Sequence, residues 1–205
     1  MVRRYKELGY TGIVIADHFI GGNTHVPDVA PWNERIDRYC EGYRAAKAEG
    51  DKIGFDVFFG FELSSYGNDF VVMNIGESWL KRNPDMCEIG LVPLLQRLRE
   101  AGAFVIHAHP FMMQTWIPMI RLMPQWIDAV EVVNGGKTKT VNDRALWYFK
   151  QYQKEFNLQK TASTDTHHAD ANFTGITLGR RVSDIKELIG EIRAGNHKLM
   201  PFKYR

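Results

Sequence analysis

Sulfur chemistry has little to work with in this chain. Its two cysteines, Cys40 and Cys87, lie far apart and fit neither a CxxC pair nor a zinc-finger spacing; a reducing compartment is the simplest reading. Charge of one sign is equally scarce. With 26 basic against 24 acidic residues the net charge is +2, so no broad basic surface argues for nucleic acid, although a local patch stays compatible. The opening MVRRYKELGYTG is not followed by an apolar run of signal-peptide or transmembrane length. No Pro/Gly/Ser linker, internal repeat or low-complexity tract divides the sequence. The expectation is a cytoplasmic protein, without membrane association, whose residues 1–205 form a single domain. At 44% hydrophobic and 12% aromatic, the chain can bury one substantial core. A serine-esterase GxSxG elbow and a zincin HExxH helix are both missing. NGGKTKT, 134 to 140, has the tail of a phosphate-binding loop but carries Glu131 where that loop needs glycine.

What is present is an alternation of short apolar runs with longer amphipathic ones. GIVIA, DVFFGF, FVVMNI, AFVIH, DAVEVV and KTAS read as strands. Between them, LVPLLQRLREAG puts Leu91, Leu94, Leu95 and Leu98 on one helical face and ends at Gly102, a C-terminal cap. Further helices are expected at 33–49, at 142–156 from an Asn142 cap, and at 184–194 from Ser183. This is the pattern of a mostly parallel α/β fold. The aperiodic stretch 19–32 reads as a loop over the first strand's carboxyl end, where binding residues commonly lie.

The chemically capable residues stand at the ends of the apolar runs. GIVIA leads to Asp17 and His18, DVFFGF to Glu62, AFVI to His107 and His109, DAVEVV to Asn134, and KTAST to Asp165, His167 and His168. In a parallel sheet or barrel all these ends fall on one face. Imidazoles and carboxylates without cysteine suit zinc, manganese or iron, and two such ions can activate water and stabilise the leaving oxygen of a phosphate ester. Glu62 directly follows VFFGF, where an unpaired carboxylate would be costly, so it calls for a metal or a cationic partner. His107 and His109, two apart on a strand, should share a face; His109, before Pro110, is the better ligand and His107 a hydrogen-bonding support. Asp17 is either a ligand or the acid that orients His18. His25, His168 and His197 read by default as ordinary surface or hydrogen-bonded histidines. Arg180 and Arg181 follow the strand-like GITLG and could hold a phosphate bidentately, though a solvated pair is the plainer reading.

Taken in order, ADH (16–18), GFE (60–62), AHP (108–110) and STDTH (163–167) resemble the motifs of the PHP family, the polymerase and histidinol phosphatase superfamily. The resemblance spans nearly the whole chain. It implies a distorted (β/α)7 TIM-like barrel with two or three divalent ions at the strand ends, hydrolysing phosphate monoesters or diesters. By that match His18, Glu62, His109, Asp165 and His167 take the ligand positions, with Glu62 bridging and Glu62, His109 and Asp165 at the catalytic centre. Where the family often has a further His, this chain reads EVVN, so Glu131 or Asn134 would stand in or the ligand is absent. Family members also begin with a strand carrying HxH, whereas Met1 here falls in the helix that follows it. A start codon assigned too late is favoured over true truncation and over substitution by another element such as His25. A missing strand would expose a sheet edge and favour a homodimer. The expected partner is a small phosphorylated substrate. The alternatives are a catalytically silent PHP-like binding or regulatory module and, lower, an amidohydrolase-like metal hydrolase.

Overall fold

The structure, a computed structural model, describes residues 1–27, 29–168 and 173–204. Asp28, part of the expected loop 19–32, lies outside them. The six apolar runs form β1 (Gly12–Ile15), β2 (Asp56–Ser65), β3 (Asn68–Met73), β4 (Phe104–Ala108), β5 (Ala129–Asn134) and β6 (Gln159–Ser163), which line up in chain order as one curled six-stranded sheet. β1 runs parallel to β2, and β4, β5 and β6 run parallel to one another. Only β3 departs from this direction, antiparallel to both neighbours. Its reversal comes from a two-residue hairpin, Tyr66-Gly67, in which both φ angles are positive (51° and 76°), as the twist of paired strands favours. Gly67 is also required sterically, because a Cβ there would lie 2.5 Å from the Ile117 side chain.

Strand alternation separates two faces. Phe61, Phe70, Val72, Val105, Val130 and Val132 turn to one side and join the main core. The helices over that core are α2 (Trp32–Tyr39), α4 (Glu77–Arg82), α5 (Leu91–Glu100) and α6 (Lys139–Phe156), while α3 (Glu41–Ile53) packs Tyr43, Ala46 and Ile53 on a smaller cluster of Val2, Tyr5, Phe55 and Val57. Val14, Phe58, Val71 and Ile106 turn to the other side and line a cavity of about 1040 Å³. Its far end is closed by α7 (Ile185–Arg193), whose Leu188, Ile189 and Ile192 pack on Met73, Phe104 and Ala129. A short antiparallel ribbon, β7 (Ile176–Leu178) with β8 (His197–Leu199), flanks α7 in sequence. Among the described residues β1 and β6 are the sheet's two edges, and no closed seven-stranded barrel forms. Side chains from α1 (Val2–Glu7) and the following turn cross between those edges: Tyr5 donates to Thr164 Oγ1 at 3.0 Å, and Tyr10 donates to the Thr174 carbonyl at 2.9 Å. No helix among the described residues is long and apolar enough to cross a membrane.

Three helix expectations change. The run 33–49 is two helices that meet at Cys40, a turn that lets Tyr39 and Cys40 both be buried while the Tyr39 hydroxyl donates to the Asp17 carbonyl at 2.6 Å. Helix α6 starts at Lys139 under a Thr138 cap. Asn142 is buried inside it, with its amide bonded to the Asn134 backbone in both directions. For α7 the cap is Asp184, which accepts from the Lys186 and Glu187 amides, while Ser183 bonds to the Glu187 carboxylate. Asp184→Ala should therefore lower the unfolding free energy by about 1 kcal/mol and Ser183→Ala by less, measured by urea denaturation; equal losses would return the cap to Ser183.

Candidate metal centre

The alternation that sends Phe61 into the core sends Glu62 to the concave face, with Asp56 and Phe58. Past β1 the backbone keeps pairing with β2. Glu62 N donates to the Asp17 carbonyl and Phe19 N to the Glu62 carbonyl, so His18 bridges to Glu62 in parallel register. This delivers the His18 ring to the same face as Val14 and Ala16. On the other flank β3 carries Asp69, which shares its face with Val71 and Met73. His18, Glu62 and Asp69 each offer a ligand atom within 4.8 Å of the others.

His109 arrives by a different device. A regular strand would put it on the same side as His107, yet the two part company. His107 stacks on Phe70 at 4.7 Å between ring centroids and meets the edge of Tyr148 under α6, while His109 lines the cavity. The cause is the backbone at His109, whose φ of 27° ends the alternation and turns the ring inward. Its Nε2 lies 3.5 Å from Glu62 Oε1, 3.8 Å from Asp69 Oδ2 and 4.0 Å from Asp165 Oδ2. The other Glu62 oxygen, Oε2, lies 3.5 Å from His18 Nδ1. Glu62 thus faces an imidazole with each oxygen.

β5 and β6 supply the remaining wall. A register shift between Glu131 and Val133 is a bulge that lets Glu131 and Asn134, three apart, face the same side. The buried Glu131 carboxylate accepts three hydrogen bonds, from the His109 amide at 2.7 Å, from Asn134 Nδ2 at 2.9 Å and from the Ser163 hydroxyl. Asp165, itself in a left-handed conformation with φ 47°, accepts from Asn134 Nδ2 at 3.2 Å and pairs with Lys137 Nζ at 2.6 Å. His167 sits at the exposed rim, its Nδ1 3.8 Å from Asp165 Oδ1 and its ring 6.0 Å from that of His18.

The electrostatics follow from this crowding. Burial, helped by the neighbouring Glu62, pushes the Asp69 carboxyl above its ordinary range, and burial does the same to Glu131. For Asp165 burial also works upward, but the Lys137 ammonium outweighs it and holds the carboxyl low. Burial opposes a charged His109, yet the Glu62 and Glu131 carboxylates prevail and raise the ring above its usual value. Asp69 and Glu131, held above their ordinary range chiefly by burial, mark a wall where added positive charge would be favourable. Their oxygens and imidazole nitrogens are the donors that divalent zinc, manganese or iron accept. A metal therefore fits among His18, Glu62 and Asp69, and His109 lies against the same Glu62 and Asp69 carboxylates.

Several expectations need correction. His107 supports nothing by hydrogen bond, since neither ring nitrogen has a partner; complete burial pushes its pKa down to about 3, so it is a neutral core residue. Asp17 does not orient His18. It alternates to the opposite side, its carboxylate 3.7 Å from where a Gly42 Cβ would be, and the His18 ring instead meets Ser64 Oγ at 3.4 Å. Glu131 bonds to the His109 amide, Asn134 and Ser163, and Asn134 bonds to Asp165. His25 is exposed on the cavity wall, outside the close trio. Arg180 is engaged by Glu191 and Glu187, and Arg181 grips Asp56 through two bonds of 2.8 and 2.9 Å; neither is poised for a phosphate. Asp69 and Lys137 are new. Asp69 was legible as an acid on the inward face of an apolar strand just past a Tyr-Gly turn, whereas Lys137 had only its place in NGGKTKT.

No family model and no curated protein matches this chain. Solved structures do. One is a two-domain protein from Bacteroides vulgatus containing a predicted PHP-like metal-dependent phosphoesterase, with TM-score 0.68 and 15% identity over 97% of this chain and 59% of that one. The fold is PHP-like. PsfC from Pseudomonas syringae aligns at TM-score 0.65 and 15% identity over 98% of this chain and 81% of that chain. A protein from Bifidobacterium adolescentis, provisionally assigned as a metal-dependent phosphoesterase, aligns at 0.52 and 14% over 94% and 88%. The chain spans 59% of the length of the two-domain protein. In this PHP-like fold the ADH, GFE, AHP and STDTH motifs all fall around one mouth, in agreement with the resemblance drawn from their order. Asp69→Asn and His109→Ala should each weaken manganese or zinc uptake by at least about 10-fold, while His107→Leu leaves it near the wild-type level. Dialysis against the ion followed by elemental analysis checks this.

Proposed function

We propose that this chain is a PHP-family metal-dependent phosphoesterase acting on a small phosphorylated molecule. The observation that carries the reading is Glu62, whose two oxygens each lie 3.5 Å from a different imidazole, His18 on one side and His109 on the other. A carboxylate flanked in this way would be shared between two cations if each imidazole held one. The likeness to PHP-like folds supports it. When bound, such ions supply the charge that polarises a phosphoryl group and acidifies a water.

The chain's own residues do the rest. His18, Glu62, Asp69 and His109 are the residues that would hold the metal's positive charge. Glu131 fixes the His109 backbone through the 2.7 Å bond to its amide, so the imidazole keeps its aim. His167, at the rim beside Asp165, is the titratable group placed to hand a proton to the leaving oxygen. Below the mouth, Val14, Phe58, Val71 and Ile106 exclude water and offer apolar surface to the organic part of an ester. A cavity of about 1040 Å³ is on the scale of small-molecule sites.

The test is phosphate release from generic aryl phosphates by protein purified without chelator. Activity should depend on added manganese or zinc, and Glu62→Gln should lower it by about 100-fold or more. No bound metal under any loading condition would sink the proposal. If Glu62→Gln instead leaves the protein's behaviour unchanged, the chain is a silent binding module.

A further inference from the structure

The motif NGGKTKT lacks the first glycine of a phosphate loop, and the phosphoesterase reading assigns it no task. The structure gives it one. It is the turn from β5 into α6, and it is built around Asn134. Gly136 N donates to Asn134 Oδ1 at 2.8 Å, Lys137 N to the Asn134 carbonyl at 3.3 Å, and Gly135 N to the Ser163 carbonyl at 2.9 Å. Asn134 Nδ2 in turn donates to Asp165 Oδ2. The turn lies in contact with that acid: a Cβ at Gly136 would stand 3.5 Å from Asp165 Oδ2. Thr138 caps α6 immediately afterwards, which sets the direction in which the chain leaves. Lys137 is thereby held with its ammonium 2.6 Å from Asp165 Oδ2, at a side-chain exposure of 21% against 12% for the acid.

We propose that Lys137 is a resident cation of the metal centre, neutralising the Asp165 carboxylate so that a further divalent ion is kept from it. The inference rests on the metal-dependent reading above and concerns whether Asp165 takes an ion of its own. Glu62 has an imidazole on each oxygen and Asp69 lies beside both, so cations fit around Glu62. Asp165 stands 4.0 Å from His109 Nε2 and reaches Lys137 much more closely. An ammonium at hydrogen-bond distance from Oδ2 satisfies the acid and repels a dication at the same oxygen, and partial burial strengthens that repulsion. Unlike an ion, the lysine is tethered and cannot be diluted away. It gives the centre a fixed positive charge beside the mouth whatever the metal supply.

The experiment counts ions. Wild type, Lys137→Met and Lys137→Arg are loaded with Mn²⁺, and bound metal per chain is measured by elemental analysis and by titration followed through the Mn²⁺ spin-resonance signal. Lys137→Met, which keeps the stem and removes the charge, should take up about one further equivalent or bind its weakest equivalent about 10-fold more tightly. Lys137→Arg should match the wild type, and Asp165→Asn added to Lys137→Met should abolish the gain. Should Lys137→Met fail to fold, Lys137→Gln gives the same readout. Equal stoichiometry and equal midpoints in wild type and Lys137→Met overturn the inference but leave the phosphoesterase proposal standing. A wild type that binds no Mn²⁺ removes that proposal, and this inference with it.

Discussion

Four carboxylates, Glu62, Asp69, Glu131 and Asp165, converge on the concave face of one curled sheet, and much of the local structure exists to make that tolerable. Each is at least partly buried, and both Asp69 and Glu131 are pushed toward the neutral form. Carboxylates in such a place need hydrogen bonds, cations or both. Glu131 takes the first solution, with three donors. Asp165 takes the second, with Lys137. Among the described residues Glu62 and Asp69 are met by imidazoles and the Ser64 hydroxyl rather than by a lysine or arginine, and with His18 they form the group that could hold an ion.

The backbone pays little heed to regularity at the same points. His109 and Asp165 both adopt positive φ, a conformation that is sterically unfavourable for residues other than glycine, and β5 carries a bulge between Glu131 and Val133. Each irregularity re-aims a side chain that an ideal strand would have pointed elsewhere. The bulge brings Glu131 and Asn134 to one side; the turn at His109 separates it from His107. Strain of this kind persists only where surrounding contacts hold it, and here the Glu131 bond to the His109 amide and the Asn134 and Lys137 bonds to Asp165 do so. The helix-covered face, by contrast, is ordinary apolar packing. It even absorbs an imidazole, since His107 lies among Phe70 and Tyr148 as an uncharged ring.

The run of apolar segments was enough to place all six strands, because burial on a sheet demands unbroken apolar stretches of that length. Parallel direction put Glu62, His109 and Asp165 at one end, and the alternation of DVFFGF fixed the face of Glu62. Gaps opened wherever a contact distant in sequence decided the matter. Alternation assigned His107 and His109 to one face, since no local pattern announces a left-handed residue before Pro110. Asp184 won the α7 cap over Ser183 by a geometry that neighbouring residues share in sequence. Asp69 entered the centre because an antiparallel hairpin folds it back beside Glu62, and Lys137 because the β5–α6 turn closes over Asp165.

What the sequence by itself determined was the α/β layering, the strand-end placement of acids and imidazoles, and the donor chemistry of nitrogen and oxygen without sulfur. These depend on periodicity and residue type, both local properties. Only the tertiary structure decided which acids face a partner and which face an unfilled need for charge. It retired Arg180 and Arg181 by pairing them with Glu191, Glu187 and Asp56, and it turned Asp17 away from His18. Charge balance is a sum over everything within a few ångströms, and residues from four strands and from the segments that follow β1, β4, β5 and β6 meet there only once the chain has folded.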